Sequence, residues 1–303
     1  MDASTNWMPV AFKRLREVIR LGYPAADYWA VYAVENDQVL SGVRVVRIPY
    51  TMRNGRTEIV SGIQGVVTRR EFSRRGLART LLAEVHRREA EAGSRLSILV
   101  TDFSYIAHNL YLSMGYVDVH SGRLAMKRLD SSGEKNKRPG DFRVVPAKAN
   151  DAETIERIHS EATKGRVGFT PRPKGYLRAL LKLGQVEHNS FRLILSEGKP
   201  VAYFHFRKGS GWFNPNEVVM KPGIDPATVL AVLEREASNG WLVLYGTFVN
   251  DTMALLKKRN YLFTDHSYSG VLAKPLGDER RRDVRKEMGI DDDSFTCQFL
   301  DYF

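Results

Sequence analysis

The sequence is poor in cysteine: Cys297 is the single one among 303 residues. No disulfide can form within the chain, and a reducing compartment is the simple expectation. No run approaches the roughly 18 apolar residues that a membrane helix needs, so no membrane partner is expected. The histidines and the lone cysteine show no metal-ligand spacing, which argues against a structural zinc site, and no metal is expected. The opening residues, MDASTNWMPVAF, lack the basic-then-apolar order of a secretory leader, and a cytoplasmic location is expected. Acidic residues are scarce beside basic ones, 35 against 46, for a formal net charge of +11. That balance admits nucleic acid, an anionic surface or an anionic cofactor without choosing among them.

The length suits two domains rather than one. An amphipathic helix is expected over Trp7 to Leu21, then a hairpin from residues 29 to 50, with a further turn at Asn54-Gly55. A β-branched strand through Ile63 to Thr68 runs into a basic loop and a helix beginning at Leu77, where the apolar spacing changes from strand to helix period. LSILVTDF (96 to 103) reads as a buried strand, Ile106 to Met114 as a helix, and VDVHSGRLAMKRL as one closing strand. DSSGEKNKRPGD (130 to 141) has almost no apolar content and reads as a linker.

A second series follows, and it matches the first. LSILVTDFSYIAHNLYLSMGY aligns with WLVLYGTFVNDTMALLKKRNY without a gap, pairing Gly115 with Asn260 and Tyr116 with Tyr261. A period this long means two like domains rather than a solenoid. The expected division is 1–129, a linker at 130–141, a second domain at 142–276, and a tail at 277–303. Phe299, Tyr302 and Phe303 make that tail apolar enough to dock.

The richest stretch is GIQGVVTRREFSRRGLARTLLA. Strand, glycine turn and helix N-terminus, with Arg74, Arg75 and Arg79 around Gly76, describe a place for a phosphate. Gly76 and the small Ala78 let backbone approach a bound group. Gly62 and Gly65 read as a bulge in the preceding strand.

These residues carry a resemblance to the GNAT superfamily of acyl-CoA-dependent N-acyltransferases. The family's phosphate loop is Arg or Gln, two variable residues, Gly, one variable residue, then Gly or Ala. Ser73 to Ala78 matches it at Gly76 and Ala78, with Ser73 at the first position. The family's second signature matches at Ala107, Leu110, Tyr111, Gly115 and Tyr116, with Ser104 in place of Asn. The tandem layout looks most like the enhanced-intracellular-survival type of GNAT. The fold implied is α/β (α+β with mixed sheets), as two tandem GNAT-like domains.

The resemblance implies acetyl transfer from acetyl-CoA to a primary amine by direct attack in a ternary complex. Backbone at Val66, Val67 and Thr68, together with Ser104, would hold the pantetheine arm, with an oxyanion donor near Val67. Arg74, Arg75, Gly76, Leu77, Ala78, Arg79 and Thr80 would hold the pyrophosphate. Tyr111 matches the family residue that protonates the departing thiolate. With a tyrosine pKa of about 10 against about 8.5 for a thiol, full transfer is uphill by roughly 2 kcal/mol, and a hydrogen bond that strengthens as the thiolate forms is the role expected of it. Glu58 and Asp102 are candidate general bases, alongside a water relay or the terminal carboxylate of Phe303. His86, His108 and His120 read as surface or supporting residues. In the second series VVMKPGIDPA replaces the loop, with Gly223 kept, and Leu256 stands in place of Tyr111, so that domain reads as a degenerate copy. A CoA-binding sensor without turnover is the alternative from another class. A nucleic-acid acceptor is a third, resting on FHFRKGSGWF (204 to 213). The acceptor and the oligomeric state are not legible.

Overall fold

The computed structural model describes residues 28–130, 142–172, 174–182, 186–237, 239–246, 250–264, 269–277, 283–292 and 294–295. The expected helix at 7–21, nearly all of the expected linker, and the aromatic tail with the Phe303 carboxylate lie outside the described residues. Two compact units emerge, each with its own sheet.

The first sheet has the order β1-β2-β3-β4-β13-β5. Its strands are β1 (Tyr28–Glu35), β2 (Gln38–Thr51), β3 (Thr57–Thr68), β4 (Leu96–Asp102), β5 (Val117–His120) and β13 (Ser269–Pro275). All neighbours are antiparallel except β3 and β4. Alternation along the strands sorts side chains onto two faces. On one, Val43, Val45, Ile63, Leu99 and Leu272 pack with Leu81, Leu82 and Val85 of helix α1 (Leu77–Glu91) and Tyr111 of α2 (Ile106–Ser113). On the other, Val46, Ile48, Val60, Ile98 and Val271 pack with Val284 and Met288 of a short C-terminal helix (Val284–Met288). Leu82 and Val85 are fully buried, worth about 1.5 to 3 kcal/mol each. Glu89, also fully buried on α1, accepts from Trp29 Nε1 at 2.9 Å, Ser94 Oγ at 2.9 Å and Arg47 Nε at 3.2 Å, so no charge is left bare.

The second sheet has the order β12-β6-β11-β10-β9-β8-β7. Its strands are β6 (Arg123–Leu129), β7 (Arg143–Pro146), β8 (Phe191–Ser196), β9 (Lys199–Gly209), β10 (Trp212–Met220), β11 (Gly240–Gly246) and β12 (Leu262–Phe263). Its helices are α3 (Ala152–Thr163), α4 (Tyr176–Lys182), α5 (Pro226–Ala237) and α6 (Asn250–Lys258), which makes the C-terminal helix α7. Asp151, at the N-cap of α3, makes no side-chain cap bond to the helix and accepts the Lys148 N–H at 2.7 Å.

One expected strand is two. VDVHSGRLAMKRL breaks at Ser121-Gly122: β5 belongs to the first sheet and β6 to the second. A Cβ at Gly122 would sit 2.7 Å from the Tyr245 ring, so the break is built around a residue without a side chain. In return β13, late in the sequence, completes the first sheet between β4 and β5. Hydrophobic patterning finds a strand but does not say which sheet takes it.

Candidate active site

The parallel pairing of β3 with β4 covers two positions, Ser61 with Ser97 and Gly62 with Ile98, and then stops. Beyond it the strands part. Two features of β3 produce this. Between Gln64, paired with Arg44, and Val67, paired with Gly42, β3 carries one residue more than β2. The extra residue is a bulge at Gly65-Val66, with Gly65 in the left-handed region at φ 57. Gly62 is not part of it; its missing side chain makes room for Ile48 and Val46. The end of β3 is then pinned to β2: Ser41 Oγ donates to the Val67 carbonyl at 2.9 Å and lies 2.8 Å from Thr68 Oγ1, and the Arg69 N–H donates to Leu40 O. Nothing local in the sequence signals Ser41. Because Val67 and Arg69 turn their backbone toward β2, alternation points Val66 and Thr68 into the gap. Both flank the expected donor position near Val67.

The loop follows directly. A short turn at Arg70–Phe72 leads to Ser73, whose hydroxyl donates to Arg70 O at 2.5 Å. Arg74 takes φ 64 and Gly76 φ 78. Gly76 starts α1 without any side-chain cap, and the first turn carries no acid. The helix therefore begins with unsatisfied N–H groups and a partial positive charge. Arg74 and Arg75 are exposed beside it, Arg75 lying over the Phe72 ring at 4.9 Å. Arg79 is turned elsewhere: it donates to Ser113 Oγ at 2.7 Å, tying α1 to α2. Thr80 Oγ1 is turned back to Gly76 O at 3.3 Å.

Tyr111 lies on α2, packed edge-on against Tyr116 at 5.8 Å between ring centres, in the cluster that contains Val66 and Leu99. These two residues come from the parting strands, so Tyr111 faces the gap. Burial pushes its hydroxyl pKa up to about 12, which leaves it protonated at neutral pH. Ser104 and Asp102 close the turn after β4: Asp102 Oδ1 accepts from Ser104 Oγ at 2.6 Å and from its N–H at 2.8 Å. Those bonds, the hydroxyl first, hold the Asp102 carboxyl below the usual range and make it a poorer base. Glu58 is not brought to the gap. It sits at the opening end of β3, 3.6 Å from Arg95, about 30 Å of strand from Val67.

The three histidines lie in different surroundings. His86 is buried, with Nε2 2.9 Å from Tyr116 Oη, and Tyr116 Oη also lies 2.7 Å from Ser97 Oγ. Burial, then Lys274, pulls the His86 pKa to about 3. His120 is pulled to about 4 by burial and Arg285. Both are neutral near pH 7. His108 pairs with Asp118 on β5 at 3.0 Å, away from the gap.

The second unit keeps the frame and changes the fittings. β10 and β11 also pair over two positions, Trp212 with Trp241 and Phe213 with Leu242, and β10 bulges between Pro215 and Glu217. Gly223 keeps a positive φ of 84. Asp225, however, caps α5 with its own carboxylate, accepting from Ala227 N at 3.0 Å and Thr228 Oγ1 at 2.9 Å. Leu256, fully buried, replaces Tyr111. Asn260 replaces Gly115 and takes its left-handed turn, φ 61 against φ 89.

Residues 10–117 match the model of a GNAT acetyltransferase domain. Among solved structures, a probable N-acyltransferase from Enterococcus faecalis V583 aligns with TM-score 0.68 and 15% identity, over 88% of this chain and 70% of its own. A GCN5-related N-acetyltransferase from Kribbella flavida aligns at 0.58 and 18%, over 80% of this chain and 59% of its own. A tandem GNAT protein from the clavulanic acid biosynthesis pathway aligns at 0.52 and 11%, over 88% of both. This chain therefore spans less than two thirds of the Kribbella protein. At these identities the likeness is one of fold: two GNAT-like units. No curated protein matches the sequence.

Proposed function

We infer, from a chain that carries a GNAT acetyltransferase domain over residues 10–117, that its first unit moves an acetyl group from acetyl-CoA to a primary amine. The observation that carries this is the coincidence, in one place, of a strand gap, an uncapped helix N-terminus with exposed arginines, and a tyrosine facing the gap. The fit to a CoA-type cosubstrate is chemical. The N–H groups at Gly76 to Ala78, with Arg74 and Arg75, suit a pyrophosphate. The N–H groups of Val66 and Thr68 suit an amide-bearing arm and the developing negative charge on a carbonyl oxygen. The thioester supplies the activated acyl group.

Tyr111 has a narrower role than a full proton donor. With its pKa near 12 against about 8.5 for a thiol, complete transfer runs uphill by about 5 kcal/mol. A hydrogen bond that strengthens as negative charge gathers on sulfur is the step its environment supports. Deprotonation of the attacking amine falls to water or to a group outside the described residues, since Glu58 lies far off and Asp102 is held ionised.

A thiol-release assay with acetyl-CoA and a panel of primary amines tests the reading. Amine-dependent release that falls about ten- to a hundredfold on changing Tyr111→Phe supports it. Tight acetyl-CoA binding with no release on any amine favours the sensor.

A further inference from the structure

The stretch FHFRKGSGWF (204 to 213) lies in the hairpin of β9 and β10 in the second unit. Its phenylalanines turn inward: Phe204, Phe206 and Phe213 pack with Val229, Leu230 and Leu233 of α5. Trp212 precedes Phe213 on the strand, so it points to the opposite face, and it is 42% exposed. Its indole lies across Gly209 on β9, where a Cβ would fall 2.3 Å from Nε1 and 2.5 Å from Cε2. A glycine at that position lets the ring rest on the strand with its far side in solvent.

The register fixes what stands beside it. Trp212 is paired with Trp241 on β11, and Trp241 with Arg128 on β6. Paired residues on neighbouring strands share a face, with strands about 5 Å apart. Arg128, Trp241 and Trp212 therefore form one row across three strands. Trp241 is 36% exposed, and the Arg128 side chain 72%. Arg128 lies 3.9 Å from Asp130, a long pair between two exposed groups that holds the guanidinium weakly. A second row runs along the same face: Leu262 on β12 is paired with Met126 on β6, and Met126 with Val243 on β11.

The charge of the chain sits with these tryptophans. Residues 122–267 hold 24 Lys and Arg against 15 Asp and Glu, a formal +9 of the chain's +11. Two copies of so basic a unit repel each other, so a second chain is not the occupant this charge selects. Open indoles beside a guanidinium, in a positive field, match flat rings strung on phosphates.

We propose that this face binds single-stranded nucleic acid, with unpaired bases stacking on Trp212 and Trp241 and a phosphate pairing with Arg128. A duplex keeps its base faces stacked inside and offers the platform only its phosphates. The indoles meet ring faces rather than base edges, so little sequence preference is expected. The inference stands on the second unit and does not depend on acetyl transfer by the first.

Fluorescence anisotropy of the full chain with a labelled oligothymidylate of about fifteen nucleotides tests it, between about 50 and 200 mM salt. Binding should weaken with salt and be at least tenfold tighter than to the same strand annealed to oligodeoxyadenylate. Trp212→Ala and Trp241→Ala should each weaken it at least fivefold. Arg128→Gln should lower the slope of log affinity against log salt by about 0.7. Trp241→Ala and Arg128→Gln decide the matter if Trp212→Ala, which bares Gly209, fails to fold by circular dichroism. No binding at about 50 mM salt, equal affinity for the duplex, or an affinity indifferent to both Trp241→Ala and Arg128→Gln overturns the proposal. So does dimerisation, or capture of phosphatidylserine vesicles, that is lost on Trp241→Ala while oligothymidylate binding persists.

Discussion

Helices α1 and α5 begin at equivalent places in two copies of one frame, and they satisfy their first N–H groups in opposite ways. α1 opens on Gly76 with no side-chain cap, no acid in its first turn, and two exposed arginines beside it. α5 opens behind Asp225, whose carboxylate takes the bonds that an outside anion would take. Both copies keep the parted strands and a bulge. What differs is who supplies the negative charge at the helix start. A self-capped terminus is finished; an uncapped one flanked by arginines is complementary to a ligand. Under the proposed function, a second copy without the chemistry needs no loss of fold, only one aspartate and the exchange of Tyr111 for Leu256.

The comparison can be broken by making α1 resemble α5. Gly76→Asp puts a carboxylate where the phosphate would sit and occupies its donors. Two or more charge-assisted bonds and the dipole contribution go, so acetyl-CoA affinity should fall more than about a hundredfold, roughly 3 kcal/mol, by calorimetry. Tyr111→Phe removes a contact to the leaving group alone. Turnover should drop about ten- to a hundredfold with acetyl-CoA affinity unchanged; an equal loss of affinity would make Tyr111 a packing residue. Arg74→Ala with Arg75→Ala leaves the backbone cradle in place, so affinity should weaken about tenfold and become less sensitive to salt.

Two smaller effects sharpen the same contrast. The units should be alike in acid sensitivity, because each holds two histidines kept neutral by burial: His86 with pKa about 3 and His120 at about 4 in the first, His159 at about 3 and His205 at about 4 in the second. Each folded pKa lies below the ordinary 6.5, so below pH 6.5 the unfolded chain takes up more protons. Stability should be complete above pH 6.5 and decline toward pH 3 to 4, by about 1.4 kcal/mol per pH unit per histidine. Denaturant titrations across pH 4 to 8 read this directly, and His86→Gln should flatten the slope. Asp225→Ala removes a cap and costs about 1 kcal/mol of stability, seen as a lower melting temperature. It should leave acetyl-CoA binding untouched.

The frame of this site was legible in the sequence because its parts are local. The strand, the Gly65 bulge, Gly76 and the Tyr111 helix lie within one stretch of chain, each with its own periodicity or turn residue. The offset between the copies pairs Gly115 with Asn260, and both take the left-handed conformation. What stayed hidden depends on pairing. Ser41 fixes the end of β3 from another strand, and nothing around Ser41 marks it. Glu58 looked close to the site because it shares a strand with it, yet an extended strand carries it far away. Arg79 looked like a phosphate ligand, but Ser113 on α2 claims it. The assignment of β5 and β6 to different sheets, and of β13 to the first, rests on contacts that no window of sequence contains. Whether His86 lay at the surface or in a supporting place stayed open because its partners, Tyr116 and Lys274, come from distant elements.

The account stands on one open helix terminus and one closed one, so the deciding quantity is the stoichiometry of acetyl-CoA binding. Calorimetry on the full chain should give one site per chain, abolished by Gly76→Asp and unaffected by Asp225→Ala. Two sites per chain, or a single site that survives Gly76→Asp, would contradict it.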